Sequence, residues 1–597
     1  MAWLVGGTMR NRSVLITRIV FFLLTGVFVF TAGWSRGFAQ TDAALRSPGA
    51  TTYYVDSAAG DDQHDGKAPD EAWRSLTRVN SMVFAPGDKI LFKAGSRFEG
   101  RLAPKGSGNE AAPIVVDVYG EGAKPLIAAE GRFHEALLLE NQEYWEVNNL
   151  ELTNQGETRQ KFRYGVRVRA WDFGTMHHIH LKNLVVHDVN GSVVKDKGEG
   201  QGIVWENGGK NTRSRFDGLL IEGCHLLRTD RNGICGYSTY DDRRIWFPSL
   251  NVVIRNNLLE DIGGDGIKVW GCEGALVEHN RLHKAGQRAP DYSAGIWPWS
   301  SDGTVIQFNE VSEFKGTRDG QAFDSDGNCR GTIFQYNYSR DNDGGFMLLC
   351  TSGDFRGMAT RFFLVVAAVS FLVALVLRKL KWRKLSFLLA GVGLLAVGMV
   401  VLYVFDLAHR FPQSAGNTGT VVRYNISQND RARTFHITGP VKDASIYNNV
   451  FYVGKGRVVD LLLYTDYVGW SDGVQVKNNI FYVEGTGRYS HGVSRNADGS
   501  YNVEPGFGRS KNNFFERNVF FGNHENPPHD PKAITADPML VAPGSGTIGL
   551  DSLAGYKLKD GSPCIGAGVP IPRNGGRDFW GNKVPEGAPP DVGAEQK

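Results

Sequence analysis

The stretch DGQAFDSDGNCRGTIFQYNYSRDNDGGF, Asp319 to Phe346, decides the reading of the chain. It holds two turns of a repeat: a short β-branched or aromatic run ending in Asn, a polar turn, then a Gly-led apolar strand. The same unit recurs as VIRNNLLEDIGGDGIKVW from Val253, LVEHNRLHKAG from Leu276, VIQFNEVSEF from Val305, VVRYNISQND from Val421, SIYNNVFYV from Ser445 and VQVKNNIFYV from Val474. Asn257 and Asn280 are 23 residues apart, Asn280 and Asn309 29, Asn309 and Asn337 28, Asn425 and Asn449 24, and Asn449 and Asn479 30. A period of about 20 to 30 residues built of strands and turns, without helical periodicity, predicts an all-β chain folded as a stacked-strand solenoid.

Composition agrees with a large folded chain that turns often. Its 597 residues include 74 Gly, which suit tight corners between short strands. A net charge of +3, from 66 basic and 63 acidic residues, offers no global field for nucleic acid. No nucleic-acid partner is expected, and partners must be recognised locally. The six Cys have no CxxC pair and no Cys/His spacing of a zinc site, so they read as buried or paired structural residues, and no metal ligand set is assigned.

Arg10, Arg12 and Arg18 precede an apolar run from Ile19 to Trp34, and Gly37 and Ala39 are small residues suited to an export peptidase. Residues 1–39 therefore read as a signal peptide and 40–52 as a linker. The folded part opens with the strand TYYVD at Thr52. The Asp-rich loop Asp61 to Gly66 follows, a solvated turn or a calcium site, calcium being the one cofactor left open. Glu71 to Val83 carries apolar residues at helical spacing and predicts a helix capping the first coil.

Residues 53–357 and 411–597 read as the two parts of the solenoid, separated by an insertion at 358–410. Within it, Phe362 to Leu377 and Leu385 to Phe405 are apolar runs flanking RKLKWRK, Arg378 to Lys384, with five positive charges. This pattern predicts a transmembrane hairpin through residues 362–405, its basic loop cytoplasmic and the solenoid on the extracytoplasmic side. Asn337 and Asn425 are 88 residues apart, so removing about 60 restores one period. The hairpin is thus inserted into a single turn.

The combination of YYVD, the Asp/Gly loop, a Trp-containing helix and PGDKILFKAG (Pro86 to Gly95) resembles the entry of bacterial right-handed parallel β-helix proteins of the pectate lyase-like superfamily. The closing segments from Asp537 and from Arg577 resemble that superfamily too. The resemblance implies a right-handed parallel β-helix. It implies less about activity, because one solenoid carries lyases, hydrolases and inert adhesins.

Alternate residues of a strand face in or out, and equivalent residues of successive coils stack about 4.8 Å apart. Taking Ile267, Ile296, Phe323, Phe346 and Phe435 as inward predicts an exposed column Lys268, Trp297, Asp324, Met347, His436. A second column runs Trp270, Trp299, Asp326, Leu349, Thr438. Paired carboxylates beside indole faces suit a polysaccharide and glycoside hydrolysis, with one carboxyl as acid and the other as base or nucleophile. Asp324 and Asp326 are the first catalytic candidates. Asp343, Asp265 and Lys268 are the further ones, and Trp270, Trp297, Trp299 and His436 the expected substrate contacts. The run from Asp319, with GGDGIKVW and AGIWPWSSDGTVIQFNEV before it, resembles bacterial β-helix glycoside hydrolases. That resemblance implies roles for Asp324 and Asp326, with Asp343 as a third candidate. Two other functions fit the same residues: β-elimination from uronic acids with Lys268 as base, and glycan binding without catalysis.

Overall fold

A computed structural model describes residues 45–353, 355–404, 413–496 and 501–597. The expected signal peptide lies outside the described residues. Among those described, the chain forms a parallel β-helix whose central coils each supply three strands. One coil comprises Val253–Arg255, Leu258–Glu260 and Ile267–Trp270, and the next Leu276–Glu278, Arg281–His283 and Ile296–Trp299. First strands stack into one parallel sheet, and second and third strands into another. The inward positions pack into one continuous core from Tyr53 to Phe520. All-β architecture with stacked coils is therefore as the repeat predicts.

The repeat's Asn residues explain the period. Each follows a corner residue in the left-handed region, such as His279 (φ 54°), Phe308 (φ 54°) or Tyr336 (φ 58°), a conformation costly without glycine. The buried Asn side chains then bond from coil to coil. Asn309 donates its backbone N–H (2.9 Å) and Nδ2 (3.1 Å) to Oδ1 of Asn337, whose Nδ2 donates to the Ile306 carbonyl (2.9 Å) and to Oδ1 of Asn425 (3.0 Å). This ladder runs from Asn257 to Asn518 and ends on the carboxylate of Asp530, whose Oδ2 lies 2.9 Å from Asn518 Nδ2. Asn337→Ala leaves several of these buried groups unpaired at about 1–3 kcal/mol each. We expect a loss of at least about 3 kcal/mol in urea unfolding of the intact chain; an unchanged midpoint would assign the ladder no share of stability.

The cap differs from the prediction. The α-helix spans only Leu76–Ser81, because Ser75 caps it, its Oγ accepting the Arg78 N–H at 3.2 Å. Trp73, expected on that helix, instead forms an isolated bridge with Val55, and Val83 lies in the strand Met82–Phe84. Part of the expected linker is also structured, since Leu45–Arg46 pairs with Met82–Val83. The Asp-rich loop is a capped turn. Asp61 and Asp65 accept the Gln63 and Lys67 amides, and Asp62 accepts the Arg74 and Ser75 amides and the Ser75 hydroxyl. The C-terminal residues leave the coil pattern and cover one flank, where Leu553, Tyr556 and Val592 pack on Tyr338, Tyr424 and Val450.

The insertion is a pair of helices, Phe355–Lys379 and Arg383–Val404. Apolar spans of 21 and 22 residues have mean hydropathies of 2.4 and 2.5 and are only 17% and 11% buried, so each is long and apolar enough to cross a bilayer. The helices hold each other through Phe371 against Gly393 and a 2.8 Å bond from Ser386 Oγ to the Ala374 carbonyl. Around them the solenoid closes. Asn417 Nδ2 donates to the Cys350 carbonyl at 3.2 Å, and Asn337 reaches Asn425 across the insertion as it would reach any next coil.

Candidate functional site

The carboxylate strand Gln321–Ser325 sits between Ile296–Trp299 and Gly345–Cys350 in the stack of third strands. Ile267 pairs with Ile296, Lys268 with Trp297, Trp270 with Trp299, and Ile296 with Phe323, as the sequence alignment expects. One coil later the alignment slips. Phe323 pairs with Met347, and Met347 with Phe435, so Leu348 and Cys350 take the outward places expected of Met347 and Leu349. Phe346 and Met347 are consecutive residues of the core at the strand's entry, just after Gly345 (φ 119°), and either could mark the inward position. A one-residue slip exchanges every side chain between faces.

A second correction concerns exposure. Lys268, Trp297, Asp324 and His436 face outward from the coil but are covered, at 3%, 5%, 3% and 2% exposure. Lys195, from a loop well before this strand in the chain, lies over the Trp297 ring at 5.1 Å, and its backbone N–H donates to Asp291 at 2.7 Å. Lys268 Nζ rests 3.8 Å from the Tyr237 ring centroid and 4.9 Å from that of Trp270, and burial lowers its pKa. His436 bonds Thr465 Oγ1 at 2.8 Å and packs edge-on against Tyr501.

Asp265 is buried. It accepts the Ala294 amide at 2.9 Å and Trp297 Nε1 at 3.2 Å, with Arg231 Nη1 3.4 Å away. Burial pushes its pKa up, but Arg231, Lys195 and Lys268 outweigh it and hold the carboxylate ionised. Asp343 is turned to the Gly316 amide (3.3 Å) and Arg431 (3.2 Å). Trp270 and Trp299 are half-buried and meet edge to face at 6.1 Å, with Trp270 Nε1 donating to Asp241 at 2.6 Å.

Asp324, Asp326 and Asp319 form the electrostatic centre. Burial, then the charges of Asp326 and Asp319, raises the Asp324 pKa well above the carboxylate range, and its Oδ1 has no hydrogen-bond partner. Asp326 is half-buried, accepts the Gly327 amide at 2.6 Å, and has its pKa raised by burial to about 6. Asp319 is also half-buried. Its backbone is left-handed (φ 63°), and its charge acts on Asp324, Asp326, Lys195 and Tyr467. Sequence reading left Asp319 out of the candidate list and gave no hint of Lys195, Arg231 or Tyr467, which arrive from distant loops and coils. Cys350 would have followed from the correct register. Along the same face, Phe162, Tyr164, Glu199, Glu206 and Tyr237 border a cavity of about 440 Å³.

The six cysteines form no disulfide. Burial raises the Cys224, Cys235 and Cys272 thiols to about 12, which keeps them protonated.

Comparison with known proteins agrees with this architecture. Residues 201–357 match the right handed beta helix region. The chain is 27% identical to a lacto-N-biosidase of Bifidobacterium longum subsp. longum over 95% of its own length and 38% of that protein. The native crystal structure of the GH136 lacto-N-biosidase from Eubacterium ramulus superposes with a TM-score of 0.51 at 28% identity, covering 68% of this chain and 65% of that one. Its selenomethionine derivative gives 0.53, with 69% and 65% covered. The chain thus spans less than two thirds of these relatives' length. In sequence and fold it resembles the β-helix glycoside hydrolases.

Proposed function

We propose that this protein hydrolyses glycosidic bonds of an extracytoplasmic glycan, in the manner of the lacto-N-biosidases it resembles, while tethered to a membrane by residues 355–404. The observation that carries the reading is the cluster of Asp319, Asp324 and Asp326 in and beside the strand Gln321–Ser325, where Asp326 is half-buried next to indole rings and burial raises its pKa to about 6. A general acid must be protonated, positioned and reachable. Asp326 meets all three needs, with Trp299 beside it as a face for a sugar ring.

The partner carboxylate must be ionised and reachable. Asp324, from the pair suggested by sequence, is almost wholly buried and pushed towards its neutral form, which supports a positioning role behind Asp326. Asp319 is half-buried and acts electrostatically on both Asp324 and Asp326, which makes it the proposed base or nucleophile. Asp265, held ionised by three cations, orients Trp297 and offsets the charge of Lys195 and Lys268. Asp343 and His436 have no assigned step in this scheme.

The test is product analysis on lacto-N-biose-containing glycans. Hydrolysis gives new reducing ends, elimination adds an unsaturated product absorbing in the ultraviolet, and a binding protein gives neither. The acid assignment sets the pH profile. Because Asp326 works protonated, kcat/KM should fall as pH rises through about 6. A rate that climbs between pH 5 and 8 would remove Asp326 as the acid.

A further inference from the structure

Away from the carboxylates, the sheet of first strands carries a second cluster. Glu146 lies on the strand Trp145–Asn148 and pairs with His180 on the strand Thr175–Lys182 of the following coil. His178, two residues earlier, shares the outer face with His180. His178 Nε2 lies 3.0 Å and His180 Nδ1 3.6 Å from Glu146 Oε1, and all three ligand atoms fall within 4.8 Å of one another.

The two distances to Glu146 Oε1 fit the edges of a metal polyhedron. Bonds of about 2.0–2.1 Å in a tetrahedron place neighbouring ligand atoms roughly 3.3 Å apart, between the two values observed. From the geometry we infer that Glu146, His178 and His180 form a binding site for a divalent transition metal of the zinc class.

The donor set selects the ion. Two imidazoles and one carboxylate suit zinc and its neighbours, whereas calcium and magnesium take oxygen ligands. The surroundings position the ligands. Lys182 Nζ donates to the other oxygen of Glu146 at 2.9 Å, which leaves Oε1 turned to the histidines. The Tyr144 ring stacks on His178 at 6.0 Å, and Gly218 in the next coil places no side chain over the His178 backbone. With side-chain exposures of 32%, 20% and 22% for His178, Glu146 and His180, a fourth position stays open to water.

The ligands come from successive coils and from the sheet that lacks the carboxylate strand. The ion therefore acts as a clamp between coils, with no part in glycan hydrolysis. The histidines sit two residues apart in His178-Ile179-His180, while Glu146 comes from one coil earlier, so no local Cys/His spacing reveals the site.

The test uses the full chain in detergent without an affinity tag, stripped with a chelator and titrated with Zn²⁺. We expect one equivalent bound with micromolar or tighter affinity and a higher unfolding temperature. Affinity should fall at least tenfold in His180→Ala and in Glu146→Gln, and glycan hydrolysis should not change. Co²⁺ should give the visible bands of a four-coordinate site in the unmodified protein, a readout independent of how the variants fold. Millimolar or substoichiometric binding, equal binding by the variants, or a purely octahedral Co²⁺ spectrum would each overturn the site.

Discussion

Asp326→Asn should lower the rate of glycan hydrolysis by about 10² to 10⁴ while leaving unfolding nearly unchanged. The substitution keeps the size of the side chain and its acceptor for the Gly327 amide, and it replaces the acidic OH by an NH2 that cannot serve as the acid. Asp319→Asn should be comparably damaging if it supplies the base or nucleophile. Asp324→Asn separates this arrangement from the neighbouring pair suggested by sequence. A carboxyl already held neutral loses little on becoming an amide, so turnover should stay within about tenfold of the parent. Initial rates of reducing-end release by the three purified variants decide the matter. A silent Asp326→Asn, or an Asp324→Asn as dead as Asp326→Asn, would discard the assignment.

The second large effect is physical. Joining Gly353 to Gln413 through a short Gly/Ser linker should give a chain that is monomeric in buffer without detergent, with β-rich circular dichroism and cooperative unfolding. The junction asks little of the coil. Cys350 and Asn417 are already hydrogen-bonded, and the strand Gly345–Cys350 pairs with Arg433–Thr438 across the excision. The deletion removes a run of exposed apolar side chains, among them Phe362 at 62%, Phe387 at 78% and Leu395 at 73% exposure. Since no residue of the carboxylate strand is touched, specific activity on a soluble glycan should persist. Aggregation of the shortened chain, or loss of its cooperative transition, would make the helices part of the solenoid's own stability.

Most of the fold was legible because a solenoid writes its geometry as a period. Asn280, Asn309 and Asn337 mark each coil in the sequence and occupy one buried line in space. The insertion was equally visible, since two uninterrupted apolar runs cannot belong to strands that alternate in and out. What failed were decisions of one residue and contacts of long range. Phe346 and Met347 are both apolar and both buried, so hydrophobicity could not choose the inward one. Ser75 shortened the cap helix through one hydroxyl. The burial of Trp297 and Asp324 depends on loops whose path over the face follows no period. An alternation argument fixes which side a residue faces and says nothing about what lies on top of it.

The asparagine line also has a polarity. Every side-chain amide donates to the asparagine of the next coil and accepts from the one before, while its NH2 also reaches a carbonyl of the preceding coil, so along the Asn-to-Asn line the amides are aligned head to tail instead of alternating as the peptide groups of a sheet do. The positive end of this line lies at Asn518, and there the chain supplies an anion, the carboxylate of Asp530, which accepts both the backbone N–H and Nδ2 of Asn518 at 2.9 Å. A helix is stabilised by an acidic residue at its N-terminus for the same electrostatic reason. In this solenoid the macrodipole belongs to side chains, and Asp530 is its counter-charge.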